Sequence, residues 1–253
     1  MGKKGGNLHL KREASPAFWP IHRKEFTWAV KPRPGPHPID RCIPLVLIVR
    51  EILRLAKTRK EARKIISQGK IMVDGKVRWD DRFPAGLMDV VSIPELKVNY
   101  RILPSEKGLT LYSIDEKEAG FKLCRIENKT TVQGGHIQLN LHDGRNILIR
   151  VEDPTSAGED RYRTLDTLMI SIPDQEVIEY LKMEKGMSAI LIDGKNIGKH
   201  GIISSIEEQP GRKRRRQLVN IKDEEGKIYQ SILDYAFVIG DKSPRISLPS
   251  TEG

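Results

Sequence analysis

The chain has 253 residues, with 44 Lys and Arg against 34 Asp and Glu, a formal charge of +10, and only two cysteines. A basic excess of this size points to a polyanionic partner, while two cysteines exclude a disulfide framework and are not spaced as a zinc pair. No apolar run reaches the length of a spanning helix and the N-terminus has no apolar signal core, so the composition predicts a soluble, cytoplasmic protein.

Charge is unevenly distributed. Residues 1–41 hold nine basic residues, among them Lys3, Lys4, Lys11, Arg12, Arg23 and Lys24, against Glu13, Glu25 and Asp40. Residues 42–105 hold 13 basic and 7 acidic side chains, so each segment carries +6 and the rest of the chain carries −2. The basic field therefore belongs to the first two segments. In the first, the run KPRPGPHP at 31–38 cannot be helical. Phe18, Trp19, Ile21, Phe26, Trp28 and Val30 are too apolar for a free tail. They order against RNA, where aromatic rings stack on bases, or against a neighbouring protein, or they pack onto the adjacent domain; the residues leave these alternatives open.

From residue 42 to 105 the pattern predicts two helices and a small sheet. Leu45, Ile48, Val49, Ile52 and Leu53 recur at helical spacing behind Pro44, a residue suited to the first helical position. The stretch KTRKEARKIISQGK at 57–70 predicts a second helix, with Thr58 as N-cap, Glu61 completing a capping box and Gly69 as a left-handed C-cap. Ala62, Ile65 and Ile66 share its apolar face. Arg59 with Arg63 and Lys60 with Lys64 form like-charged i, i+4 pairs, which repel and so point to a polyanion, RNA, against the alternative of a merely solvated helix face. Lys57, Lys70 and Lys76 extend this basic surface. Ile71, Val73 and Val77 around Asp74-Gly75 predict a hairpin, followed by a strand at 90–93.

Residues 106–177 read as a β-rich module: Ile137, Leu139 and Leu141 alternate before Asp143-Gly144, Ile147, Ile149 and Val151 answer them, and Leu168, Ile170 and Ile172 form another run. His136 and His142 lack a partner at ligand spacing and read as surface residues, so no metal is assigned. Cys42 and Cys124 read as buried thiols. In AILIDGKNIGKHGIISSIE, from Ala189, two apolar strands flank a glycine-rich connection. The phosphate-loop pattern fails there, because three residues rather than four separate Gly194 from Gly198 and His200 occupies the Ser/Thr position. Beyond it, Arg212, Lys213, Arg214, Arg215 and Arg216 lie between strands at 201–206 and 218–222, a basic hairpin tip read as a phosphate contact.

In this order the parts resemble the archaeal and eukaryotic-type small-subunit ribosomal protein family S-four-e, over nearly the whole chain. LAKTRKEARKIISQGKIMVDGK from Leu55 to Lys76 is similar to the signature of the S-four RNA-binding domain. Residues 187–206 resemble a KOW motif, whose turn corresponds to Gly198-Lys199-His200-Gly201, and GGNLHLKREASPAFWPIHRK resembles the family's N-terminal arm. The resemblance implies an α+β multidomain protein: a basic arm (1–41), an S-four-type domain (42–105), a central β-rich domain (106–177), a KOW-containing SH3-like barrel (178–240) and a tail (241–253). It implies a structural, non-enzymatic component of the small subunit that binds rRNA beside neighbouring ribosomal proteins, without cofactor, membrane or small-molecule substrate. RNA contacts would come from the basic residues named above, from Lys199 and His200, with Gly198 and Gly201 as turn glycines. The alternatives are an RNA-modifying enzyme carrying an S-four-type domain, for which no catalytic constellation is evident, and a free KOW-containing translation or transcription factor, which leaves the arm unexplained.

Overall fold

The computed structural model describes residues 7–151, 161–207, 213–223 and 225–249. In the arm, β1 (Leu10–Lys11) pairs antiparallel with β2 (Trp28–Ala29). β3 (Cys42–Pro44) then leads into α1 (Leu45–Leu47), which continues as a π-helical turn over Ile48–Ile52. Pro44 is the last residue of β3 and stands at the N-cap, one position before the first helical residue. Leu45 to Val49 are all buried, as expected of a helix that is apolar on every side.

α2 (Arg59–Ser67), β4 (Met72–Val73) and β5 (Lys76–Val77) follow, with Asp74 and Gly75 both at positive φ in the tight turn. After β6 (Pro84–Gly86), which pairs with β3, come β7 (Val90–Ile93), β8 (Val98–Ser105) and β9 (Gly108–Ile114). The sheet order is β5-β4-β7-β8-β9. The boundary expected between residues 105 and 106 therefore falls at the tip of a hairpin, and the first sheet runs on to Ile114. Pro104 argues against a strand in the sequence, but it lies near the hairpin end, opposite Leu109.

α3 (Glu116–Ala119) connects to β10 (Phe121–Thr131), β11 (Ile137–Leu141), β12 (Asn146–Ile149), β13 (Thr167–Ser171) and β14 (Val177–Leu181), ordered β12-β11-β10-β13-β14. The boundary expected after 177 thus cuts β14, an edge strand of the central sheet. The last sheet comprises β15 (Ser188–Leu191), β16 (His200–Glu207), β17 (Leu218–Lys222), β18 (Ile228–Ile232) and β19 (Ala236–Gly240), ordered β18-β17-β16-β15-β19. A 3-10 turn, Leu233–Tyr235, separates β18 from β19. The tail folds back: Arg245 N donates to Ile239 O, and Ile246 is buried.

The sheets share a core. One apolar cluster contains Met88 and Leu103 from the first sheet region, Leu123 and Leu165 from the central one, and Ile190, Val219 and Phe237 from the last. Polar contacts join the modules more specifically. Lys122, fully buried on β10, is paired through its Nζ with Asp74 at 2.9 Å, Asp143 at 3.0 Å and Asp89. Arg145 also grips Asp74 and Asp143, at 2.6 and 3.1 Å, and His37 Nε2 lies 3.1 Å from Asp89. The remaining carboxylate lone pairs are used locally, Asp74 accepting from Val90 N and Asp89 from Gly86 N. First sheet and central sheet thus meet on one ammonium, and the arm joins them through Asp89.

Burial alone would lower the Lys122 pKa, but Asp89, Asp74 and Asp143 outweigh it and hold the ammonium well above its ordinary value. Burial likewise opposes ionisation of Asp89 and Asp143, yet Lys122 prevails, keeping Asp143 at about 2 and Asp89 far below the usual carboxylate range. Removing one partner from such a cluster leaves uncompensated buried charge, which costs about 3–5 kcal/mol. Lys122→Met should therefore lower the unfolding free energy by about that amount in urea titration. The pH dependence has a definite sign. Because both carboxyls are depressed in the folded state, their stabilisation is complete above the ordinary value of 3.8 and is withdrawn as pH falls through about 2 and lower. The urea midpoint of the wild-type chain should drop more steeply below pH 4 than that of Lys122→Met, in which no ammonium depresses them.

Candidate nucleic-acid interface

α2 starts where its cap dictates. Thr58 Oγ1 accepts from Glu61 N at 3.3 Å, and the Glu61 carboxylate accepts from Thr58 N at 3.3 Å and Lys57 N at 2.9 Å. Those backbone N–H groups hold the Glu61 carboxyl below its ordinary pKa. Ala62 and Ile66 are buried, while Lys57, Arg59, Lys60, Arg63 and Lys64 are exposed. The helix ends at Ser67, with Gly69 at φ +75° and its N–H donating to Ile66 O.

The cations of this surface fall into two groups. Arg59 donates twice to Asp81, at 3.0 and 3.3 Å, and Lys70 pairs with Glu95 at 3.0 Å. Asp81 therefore relieves the repulsion between Arg59 and Arg63. Lys60, Arg63 and Lys64 have no ion-pair partner among the described residues, and exposed Lys76 extends the charge beyond the helix. Three adjacent positive charges stand open to solvent on a capped helix, an arrangement suited to backbone phosphates.

The arm divides along similar lines. Lys3 and Lys4 lie outside the described residues. Lys11, Arg23 and Lys24 are exposed, with Arg23 donating to Glu13 O. Arg12, read from the sequence as an RNA contact, is instead buried: it donates to His22 O at 2.6 Å, Trp28 O at 3.3 Å and Glu25 at 3.3 Å, beneath the Phe26 ring. Its fork closes the arm's own loop. The aromatic residues divide as well. Trp19 and Val30 enter the core of the first sheet, Trp19 Nε1 donating to Cys42 O at 2.7 Å, whereas Phe26 and Trp28 remain exposed.

In the last sheet, two glycines act differently. Gly198 has φ +83°, and a Cβ there would lie 3.0 Å from Ser105 Cα. Gly201, expected in the turn, is instead within β16, where a Cβ would fall 2.3 Å from Lys222 O; close approach of β17 requires it. Lys199 is paired with Glu106 at 3.0 Å, and His200 is half-buried at the start of β16, so this turn is docked onto the β8–β9 hairpin. Arg212 lies outside the described residues. The rest of the basic cluster is not a uniform solvated tip: Arg214 to Arg216 form a 3-10 turn, Arg214 meets Asp166 at 3.4 Å, and Arg215 bridges Glu127 at 2.8 Å and Asp234 at 3.0 Å. Only Lys213 and Arg216 of the described four are exposed.

Two histidines read as surface residues serve the fold instead. His142 Nδ1 accepts from Arg125 N and His136 Nδ1 from Val151 N. Burial drops His142 to about 4, so it is neutral at pH 7. Cys124, His142 and Asp143 have candidate ligand atoms within 4.8 Å of one another, but Asp143 is committed to Lys122 and Arg145, and His142 to Arg125 N and Leu87 O. Cys42 and Cys124 are buried thiols, Cys42 pushed up to about 12 by its surroundings. The sequence reading passed over Trp79, which is 67% exposed beside the end of α2. Its signal was a large apolar residue just past a hairpin strand.

Comparison with known proteins adds the family context. The RS4NT (NUC023) domain model matches residues 4–40, the S4 domain model residues 44–91 and the model described as Ribosomal family S4e residues 96–177. The chain is similar to small ribosomal subunit protein eS4 of Staphylothermus marinus, at 53% identity over 98% of each chain. It is similarly related to that of Aeropyrum pernix, at 52% over 98% of each. The crystal structure of the 30S ribosomal protein S4e from Thermoplasma acidophilum matches with a TM-score of 0.66 and 31% identity, covering 80% of this chain and 96% of that one.

The split within the C-terminal cluster can be measured. Arg215→Ala should cost about 1 kcal/mol, a modest figure because this bridge is partly solvated, and should lower the thermal midpoint by about 2–4 °C. Lys213→Ser with Arg216→Ser should leave the midpoint within about 2 °C.

Proposed function

The chain belongs to ribosomal family S4e, and on that footing we propose that it is a structural, non-catalytic constituent of the small ribosomal subunit that holds small-subunit rRNA beside neighbouring ribosomal proteins. The observation that carries the RNA reading is the exposed, unpaired trio Lys60, Arg63 and Lys64 on capped α2. Unpaired cations gain most from phosphate, since no internal ion pair must first be broken and counterions are released on binding. Lys57 and Lys76 flank the trio. Lys11, Arg23 and Lys24 on the arm and Lys213 and Arg216 near the C-terminal sheet form further anchors, so that RNA segments on different sides of the protein are fixed relative to one another.

The C-terminal sheet is the SH3-like, KOW-bearing unit in this reading. Its support is the strand order, in which a four-strand meander is followed by a last strand that returns beside the first after a 3-10 turn. The turn at Gly198 to His200 contributes mainly through docking, with Lys199 reaching RNA only by exchanging Glu106 for phosphate.

Arg63→Glu with Lys64→Glu tests the proposal. Binding to small-subunit rRNA should weaken, and the slope of log affinity against log salt should fall by about 1.4 to 1.8. The thermal midpoint should be unchanged within error because neither side chain packs. An unaltered slope would leave this face merely solvated.

A further inference from the structure

Trp79 stands apart from the other indole whose environment is fully specified. Trp19 is 3% exposed and its Nε1 is bonded to Cys42 O, whereas Trp79 is 67% exposed and its Nε1–H makes no hydrogen bond among the described residues. A single exposed apolar side chain is ordinary. The way this one is presented is not.

Trp79 lies two residues past Val77, the end of β5, and both side chains face Gly69. A Cβ on Gly69 would lie 3.2 Å from both the indole Nε1 and Val77 Cγ1, so the pyrrole edge rests against bare backbone at the end of α2. Gly69 is held by its bond to Ile66 O, and the backbone beside the indole is held by Arg78 N donating to Ile71 O. Arg78 turns elsewhere, its guanidinium 4.3 Å from the centre of the Phe83 ring. The result is a large flat ring on a fixed base, largely open to water.

The charge beside it selects an occupant. Lys64 O accepts from Gln68 N, which puts Lys64 in the helical turn just before Gly69, and Arg63 and Lys60 continue the unpaired cationic face along the helix. A ligand whose phosphates lie on that face and whose flat apolar groups reach the ring is a nucleic acid strand. Resting on the reading that this chain holds rRNA, we infer that Trp79 is a stacking platform for an unpaired base of that RNA, adjoining the phosphate path along α2. The ring supplies an aromatic face that tolerates any base, and the helix supplies the charge.

The test uses the full chain and small-subunit rRNA transcribed in vitro, titrated at several salt concentrations. Trp79→Ala should weaken binding by about 5- to 150-fold, the range of a lost stacked base, with the salt slope unchanged because no phosphate contact is removed. Trp79→Phe should recover most of the loss. In a Trp28→Phe background, which leaves buried Trp19 and exposed Trp79 as fluorophores, rRNA should quench the emission. Trp79→Leu keeps an apolar group over Gly69 without an aromatic face and serves as the second variant if alanine disturbs folding. Equal affinity of wild type, Trp79→Ala and Trp79→Leu would overturn the inference. Unchanged rRNA affinity combined with lost incorporation into subunits would also overturn it, assigning the ring to a neighbouring protein. Failure of the wild-type chain to bind rRNA would instead overturn the RNA reading beneath it.

Discussion

The Lys122 ammonium organises this molecule. Moving such an ion out of water costs several kcal/mol after relaxation, and here the cost is met only because three carboxylates from two sheets converge on it, with Arg145 and His37 completing the cluster. Asp143 pairs with Lys122 and Arg145 of its own sheet region, whereas Asp74 and Asp89 reach the ammonium from the first sheet region. Asp74 sits in the turn between β4 and β5, Asp89 just before β7, Asp143 after β11, and His37 in the proline-rich end of the arm. Separating the modules would break the cross-sheet ion pairs and expose the shared apolar core, so the cluster favours one relative placement of the sheets.

A second clasp works at the other side of the central sheet. Arg125, 2% exposed, donates to Asp234 O at 2.6 Å and to Glu127, while Arg215 spans Glu127 and Asp234. Arg101, fully buried, ties Glu118 and Phe121 O to the first sheet, and Glu118 also accepts from Ser247 N in the tail. Among the described residues, the three largest fully buried side chains are therefore Arg101, Arg125 and Lys122, all cations. Part of the positive charge counted along the chain is internal mortar, and only part faces outward to solvent.

This division suits a protein whose work is positional. Among the described residues the outward Lys60, Arg63 and Lys64 stay unpaired, so in the proposed role phosphate would have no internal competitor; the inward cations lean on carboxylates and backbone carbonyls, since an unsatisfied buried charge destabilises the fold, and of Arg101 only Nη1 is left without a partner. A shared apolar core and two ionic clasps keep the outward groups at fixed separations. In the proposed role, distant RNA segments meeting them would be held by a body that does not have to be ordered first, and less conformational entropy would be lost on binding.

The sequence alone determined what depends on neighbours along the chain. The capping box at Thr58 and Glu61, the apolar face of Ala62 and Ile66, the Asp74-Gly75 hairpin and the alternating strands at 137–141 and 218–222 all follow from spacings of two to four residues, and the structure has them where those spacings put them. The family signature is legible for the same reason, being built from such local patterns. What the tertiary structure decided is the fate of individual charges. Arg12 and the Arg214 to Arg215 pair look like Lys60 or Arg63 in a string of letters, yet they face inward because of partners up to 88 residues away, as Arg215 does for Glu127. The β8–β9 hairpin and the extension of the central sheet to Leu181 were hidden likewise, because a strand is defined by the strand it pairs with. Local sequence fixes a residue's conformation; whether its charge meets water or a carboxylate is fixed by the remote chain that folding brings beside it.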